Sequence, residues 1–226
     1  MSATTIQTLR RALIAAMAMM LLPASHAAEL ETVTPKTLHG EWSFYGIGAH
    51  AAQNRMFYME EGPDSQGVMI VSPEPYSGDV TVRYELMPMN SASVCVAILY
   101  ASDMGDAESI TLPDVYDGSM GHWINEIDNY FFAFHNQAHN RTPFGIRFAT
   151  QTQLGEGETN VMRSGEFHSI EIRRRGNTFS LFVNNERLFE GQDSDPLESG
   201  HIAFRLRGTP QHAASALIRN LTIEQH

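Results

Sequence analysis

The chain has very little of several things. Cys95 is its only cysteine and Lys36 its only lysine. A single cysteine excludes an internal disulfide, and no His/Cys spacing suggests a zinc site. Cys95 sits in the apolar run Val94-Cys95-Val96-Ala97-Ile98-Leu99, which predicts a buried, inert thiol rather than a nucleophile. Basic charge is scarce: 15 Lys and Arg face 26 Asp and Glu, for a formal net charge of −11. Such an acidic exterior argues against nucleic acid or anionic lipid as the main partner. There is no internal repeat, no low-complexity tract and, past the first residues, no convincing amphipathic helix and no run long enough to span a bilayer.

What is present begins with a targeting pattern. Arg10 and Arg11 precede an apolar run from Leu13 to Leu22, and Ser25-His26-Ala27 supplies small residues where a signal peptidase cuts. Residues 1–27 therefore read as a secretory signal peptide, cut after Ala27 or Ala28, and place the mature chain in the periplasm or outside the cell. Residues 28–226 then form one domain, with a charge of about −13 once the two arginines are gone.

From Leu38 onward the pattern has period two. Candidate strands are Glu41–Tyr45, with Trp42 and Phe44 on one face, then Met56–Met59, Val68–Val71, Val80–Met87 and Val94–Tyr100. Asn129–His135, Gly145–Ala149, Glu166–Arg174, Phe179–Val183, Arg187–Phe189, His201–Arg207 and Ala216–Ile223 follow. Val80, Val82, Tyr84 and Leu86 alternate with polar residues, as in a half-buried strand. Val94–Tyr100 is apolar on both faces, as in a central covered strand. Asn184-Asn185-Glu186 marks a tight hairpin. Residues 101–120 and 192–199 read as loops, and 154–159 as a turn region. Many short strands without helical segments between them predict an all-β antiparallel sandwich, and at this length a double-sheet jelly roll. The outer face of one sheet in such a roll commonly makes a groove.

The stretch Trp123 to Thr150 carries most of the chemistry. Two strand-like runs flank a segment rich in Asn, Gln, His and Arg. Aromatic rings stack on apolar sugar faces, while amides and guanidinium groups bond hydroxyls and carboxylates, so a saccharide ligand is expected. Alternation puts Asn129, Phe131, Ala133 and His135 on one face and Tyr130, Phe132, Phe134 and Asn136 on the other, and either face can be the groove. On the neighbouring strand Ile146 and Phe148 are expected inward and Arg147 outward. On His201–Arg207, Ile202, Phe204 and Leu206 are expected on one side, with Arg205 and Arg207 on the other, where they can grip an acidic glycan.

Three segments resemble the YesU-like family of secreted bacterial domains. They are Tyr130-Phe131-Phe132-Ala133-Phe134 with its following polar segment and Gly145-Ile146-Arg147-Phe148, then Gly200-His201-Ile202-Ala203-Phe204-Arg205, and the closing Ile218-Arg219-Asn220-Leu221-Thr222-Ile223. The resemblance spans roughly Val68 to Ile223 and implies a concanavalin A-like jelly roll in a saccharide-utilisation context. Tyr130 to Gln137 is also similar to a strand of jelly-roll alginate lyases, although Phe132 stands where those enzymes have lysine.

The function expected is cleavage of a saccharide, neutral or acidic, of lyase or hydrolase type. For β-elimination, His135 is the candidate base, Tyr130 the acid and Arg147 the carboxylate neutraliser. Trp123, Asn125, Asn129, Phe131, Asn136, Gln137, Arg205 and Arg207 are the candidate binding groups, with His122 and His139 as looser candidates. Glu126 and Asp128 are the carboxylates that hydrolysis would need. The alternatives are a non-catalytic carbohydrate-binding module on a platform of Trp123 and Phe131, or an envelope interaction protein. No cofactor is expected, beyond a structural Ca²⁺ that Asp114, Asp117, Glu126 and Asp128 could hold through oxygen ligands.

Overall fold

The computed structural model describes residues 28–136 and 139–226. The signal-peptide reading of residues 1–27 thus lies outside the described residues. The elements are β1 (Glu29–Val33), α1 (Pro35–Gly40), β2 (Ser43–Gly46), β3 (Gly48–Gln53), β4 (Met56–Glu61), β5 (Val68–Val71), β6 (Tyr76–Ser77), β7 (Val80–Pro88) and β8 (Val94–Asp103). Then come α2 (Gly121–Asn125), β9 (Ile127–His135), β10 (Phe144–Arg147), β11 (Thr152–Glu156), β12 (His168–Arg175), β13 (Thr178–Val183), β14 (Glu186–Gln192), β15 (Ser199–Arg207) and β16 (Ser215–Gln225).

These strands form two antiparallel sheets. One runs β14-β13-β12-β7-β16-β4-β3, with β1 also on β16; the other runs β11-β10-β9-β8-β15-β5-β2, with β6 also on β15. The expected sandwich is present, and its core lies between the sheets. Val80, Val82, Tyr84 and Leu86 enter it from β7, facing Tyr130, Phe132 and Phe134 of β9 and Ile202, Phe204 and Leu206 of β15. Trp42 stacks on Phe204 with ring centroids 5.8 Å apart. Cys95 is buried there, and burial raises its thiol pKa, so the thiol stays protonated.

β8 is buried on both faces for two different reasons. Cys95, Ala97 and Leu99 face the inter-sheet core. Val94, Val96 and Ile98 face outward, into a second apolar cluster with Trp123, Ile127 and Phe131. Ile110, Leu112, Tyr116 and Met120 pack on this cluster from the segment joining β8 to β9. That long segment is therefore a cover over half of the outer face, held by burial of its apolar side chains.

The hairpin between β13 and β14 turns on Asn184 (φ 53°) and Asn185 (φ 65°), two consecutive left-handed residues, as a two-residue turn of this kind requires. Four strands escape the side-chain pattern. β1 is nearly all exposed, β3 is Gly/Ala-rich, β6 has two residues, and β11 falls in the segment expected to turn. Their membership rests on backbone pairing to β16, β4, β15 and β10, which side-chain alternation does not encode.

β8 and β15 meet at a bulge. Tyr100 has φ 52°, Gly200 has φ 148°, and the register shifts beside both residues. A Cβ on Gly200 would lie 2.4 Å from the Tyr100 carbonyl carbon. Gly200→Ala should therefore cost about 2–4 kcal/mol, lowering Tm by roughly 5–15 °C in calorimetry. A variant that melts within a degree of the parent would show that the bulge relaxes freely.

Candidate functional site

The outer face of the second sheet carries the candidate site. The pairing of β9 with β10 sets Phe131 opposite Ile146 and Tyr130 opposite Arg147. This register decides which face of β9 is which: Tyr130, Phe132 and Phe134 point into the core, and Phe131 and Ala133 point outward. The β8–β9 segment covers part of the outward face. The rest is a cleft of about 440 Å³.

One wall of the cleft is aromatic. Phe131 meets Phe148 edge-on at 5.1 Å and lies 6.0 Å from Phe144, and Arg141 sits 4.7 Å above the Phe144 ring. Met120 and Ile124 add apolar surface from the covering segment. The polar lining comes from Gln66, Ser119, Asn136, His139, Arg141, Arg205 and Arg207. Asn136 is buried, and its Oδ1 has no hydrogen-bond partner among the described residues.

Arg205 and Arg207 extend outward from β15 by the alternation that sends Phe204 and Leu206 into the core. Arg205 Nη2 donates to the carbonyls of Gln66 (2.8 Å) and Gly118 (3.1 Å), and its Nε has no partner among the described residues. Burial pulls its pKa down to about 10, and the charge of Arg207 adds to this. Arg207 donates to Glu61 Oε1 (2.9 Å), to the Ser65 carbonyl (2.8 Å) and to Gln66 Oε1 (3.0 Å).

The three residues proposed for catalysis are not gathered in this cleft. Tyr130 lies in the core, where its hydroxyl donates to Asp193 (2.8 Å) and accepts from the Leu197 amide (3.0 Å). Burial, then the Asp193 carboxylate, raises its pKa, which suits a fixed structural hydroxyl. Arg147 points inward, opposite to expectation, while Ile146 and Phe148 lie on the outer face. Its guanidinium grips both oxygens of Asp128 (3.0 and 2.6 Å), Asp193 Oδ2 (2.9 Å) and the Asp195 carbonyl (2.6 Å). Two carboxylates inside the sandwich make an inward arginine favourable, and an apolar outer face takes Ile146 and Phe148.

His135 also departs from simple alternation. A register shift pairs it with Cys95 while Ala133 pairs with Val96, so Phe134 is an extra residue and His135 shares the inward side with Cys95. Its Nδ1 is bonded to the Ser93 carbonyl and its buried Nε2 has no partner among the described residues. Burial lowers its pKa, and His168 of the other sheet adds to the effect.

Of the expected binding groups, Phe131, Asn136, Arg205 and Arg207 line the cleft. Trp123 does not: it is wholly buried beneath α2. Asn129 is buried and bonds the carbonyls of Trp123 (2.7 Å) and Ile127 (2.9 Å), closing the end of α2. Asn125 is exposed and bonds Gly121. Gln137 lies outside the described residues. Asp128 is held by Arg147, and Glu126 is exposed and paired with His122 at 2.9 Å. Among the described residues no three His, Cys, Asp or Glu side chains come together as a metal site. The four acidic residues considered for Ca²⁺ therefore do not converge. Phe144, Met120, Ile124 and Gln66 were not anticipated. The period-two spacing of Phe144, Ile146 and Phe148 was readable, but the side they face was not.

Arg147→Met should strand two buried carboxylates and cost about 3–5 kcal/mol in urea denaturation; an unchanged midpoint would show that the pairs contribute nothing. Burial pushes the Asp193 carboxyl up, but the Asp195 amide, Tyr130 and Arg147 outweigh it and hold the pKa below the ordinary value. The stability this gives is present above the unfolded pKa and is lost as acid protonates the group. His135 works in the same pH direction by another route. Its lowered pKa means the unfolded chain takes up a proton first, so stability should fall as pH drops below about 6.5. The His135→Gln variant should show a shallower decline between pH 7.5 and 5; an identical slope would remove His135 as a source.

No family model matches the sequence, and no curated protein matches it. The fold does match solved structures. A protein of unknown function with a galectin-like fold from Bacillus subtilis superposes with a TM-score of 0.72 at 15% identity, over 83% of this chain and 90% of that one. Carbohydrate-binding module CBM66 from Bacillus subtilis gives 0.56 at 13% identity, over 81% and 95%. A prokaryotic β-1,3-1,4-glucanase (lichenase) derived from a mouse hindgut metagenome gives 0.58 at 11% identity, over 88% and 99%. At these identities the likeness is one of fold: the chain is an antiparallel β-sandwich of the galectin-like, concanavalin A-like jelly-roll type.

Proposed function

We propose that this chain binds a saccharide in the cleft on the outer face of the second sheet and does not cleave it. The observation that carries this reading is the composition of the cleft. Phe131, Phe144 and Phe148 offer ring surface to a sugar face, and Gln66, Ser119, His139 and Arg141 bring polar groups to the same cleft. No Asp or Glu stands among the described wall residues. A two-carboxylate hydrolysis has no groups there to run on. An elimination through Tyr130, His135 and Arg147 has its groups on the far side of the sheet. Structural neighbours that are a carbohydrate-binding module and a glucanase agree with a saccharide ligand on this scaffold. Gln66 and Arg207 also wall a second hollow of about 410 Å³, whose lining includes Glu61 and Asp64, so the saccharide is assigned to the first cleft alone. Export through residues 1–27 would bring the domain to such a ligand.

Affinity gel electrophoresis of residues 28–226 against a panel of neutral and uronate polysaccharides tests this. Retardation should appear on at least one polymer, with no rise in reducing ends and no ultraviolet absorbance from unsaturated uronate. Phe148→Ala should weaken that binding about tenfold, the effect of losing one stacked ring. Turnover on any polymer would replace the binding reading by a catalytic one. Attention would then move to His139, which lines the cleft.

A further inference from the structure

The cleft is a basic site on an acidic protein. Fifteen Lys and Arg stand against 26 Asp and Glu over the whole chain, yet three arginines and a histidine line this one cavity without a carboxylate among its described wall residues. Several arginines elsewhere are ion-paired. Arg147 holds two aspartates, Arg83 lies 2.8 Å from both Glu171 and Glu224, and Arg219 lies 2.5 Å from Glu85.

Arg205 differs from these. It is buried, and no carboxylate lies within ion-pair distance of it among the described residues; Arg207 takes the nearby Glu61. A buried guanidinium without a counter-charge is costly, and two backbone carbonyls offset only part of that cost. Its Nε is unbonded among the described residues, and its pKa is drawn below the ordinary arginine value by burial. Arg141, held over Phe144 at 4.7 Å, brings a second cation to the same cavity from the opposite strand pair, and no ion pair ties it down among the described residues.

We propose that the cleft recognises an anionic saccharide, with Arg141, Arg205 and Arg207 supplying the counter-charge to a carboxylate or sulfate on a sugar ring stacked against the phenylalanines. This rests on the saccharide reading of the same cleft and names its ligand class. Arginine forks meet planar carboxylate and sulfate oxygens with two parallel hydrogen bonds, so they favour charged sugars over neutral ones. The overall charge of −11 repels polyanions, so retention of one points to a local site rather than to bulk attraction.

The test compares matched polymers by affinity electrophoresis and calorimetry. Polygalacturonate is set against its carboxyl-reduced counterpart, and dextran sulfate against dextran. Stronger binding of either charged member, by tenfold or more, with weakening by about tenfold in Arg141→Gln, is the expected result; the arm that binds tells carboxylate from sulfate. Arg141 is exposed, so this variant should fold, and an unchanged melting temperature checks that it has. Arg207→Gln should reduce affinity as well. Equal binding of charged and neutral members overturns the anionic assignment and leaves the saccharide reading standing. Binding of no member of either pair overturns both. Charged-polymer binding that Arg141→Gln leaves untouched also overturns the site assigned here.

Discussion

One buried ion cluster sets the orientation of everything around the cleft. Arg147 on β10, Asp128 on β9 and Asp193 in the turn after β14 meet inside the sandwich, with the Tyr130 hydroxyl on the same Asp193. Side chains alternate along a strand, so fixing Arg147 and Tyr130 inward forces Ile146, Phe148 and Phe131 outward. A one-residue slip of β9 or β10 would carry the phenylalanines into the core and the arginine into the cleft. The cleft's aromatic wall is thus a consequence of a charge cluster on the opposite side of the same sheet.

The two buried arginines show how context decides what an arginine does. Arg147 has two carboxylates and a carbonyl around it, and the Asp128 contact above all holds it firmly charged. Arg205 has two carbonyls, a neighbouring arginine and no carboxylate in contact, and its affinity for a proton is weakened. The first is a closed network that stabilises the fold. The second leaves a buried charge with no counter-charge in contact, which the fold carries at a cost.

The strands with apolar alternation were legible in the sequence because burial on one face writes period two directly into the residues: β7, β12 and β16 are examples. β8 was legible as doubly buried, although what covers its outer side was not. The cover is the segment joining β8 to β9, with the short helix α2, whose Tyr116, Met120 and Trp123 follow no period that marks a covering surface. Edge strands such as β3 and β11 were illegible, since hydrogen bonding along a backbone needs no particular side chain. His135 defeated alternation because a single extra residue, Phe134, turns it inward, and no residue type announces a bulge of that kind.

The candidate site divides the same way. Arg205 and Arg207 were placed opposite Ile202, Phe204 and Leu206 from sequence alone, because a clean alternation fixes relative facing. Periodicity cannot say which side of a strand is inside when both sides are apolar. For β9 and β10 that choice fell to the pairing of Arg147 with aspartates 19 and 46 positions away in the chain. The sequence by itself determined the strand pattern, the acidic balance and the presence of a few arginines and aromatics. Tertiary structure decided which of them share a cavity, because the carboxylates that neutralise one arginine, and leave another without a partner, are brought to their places only by folding.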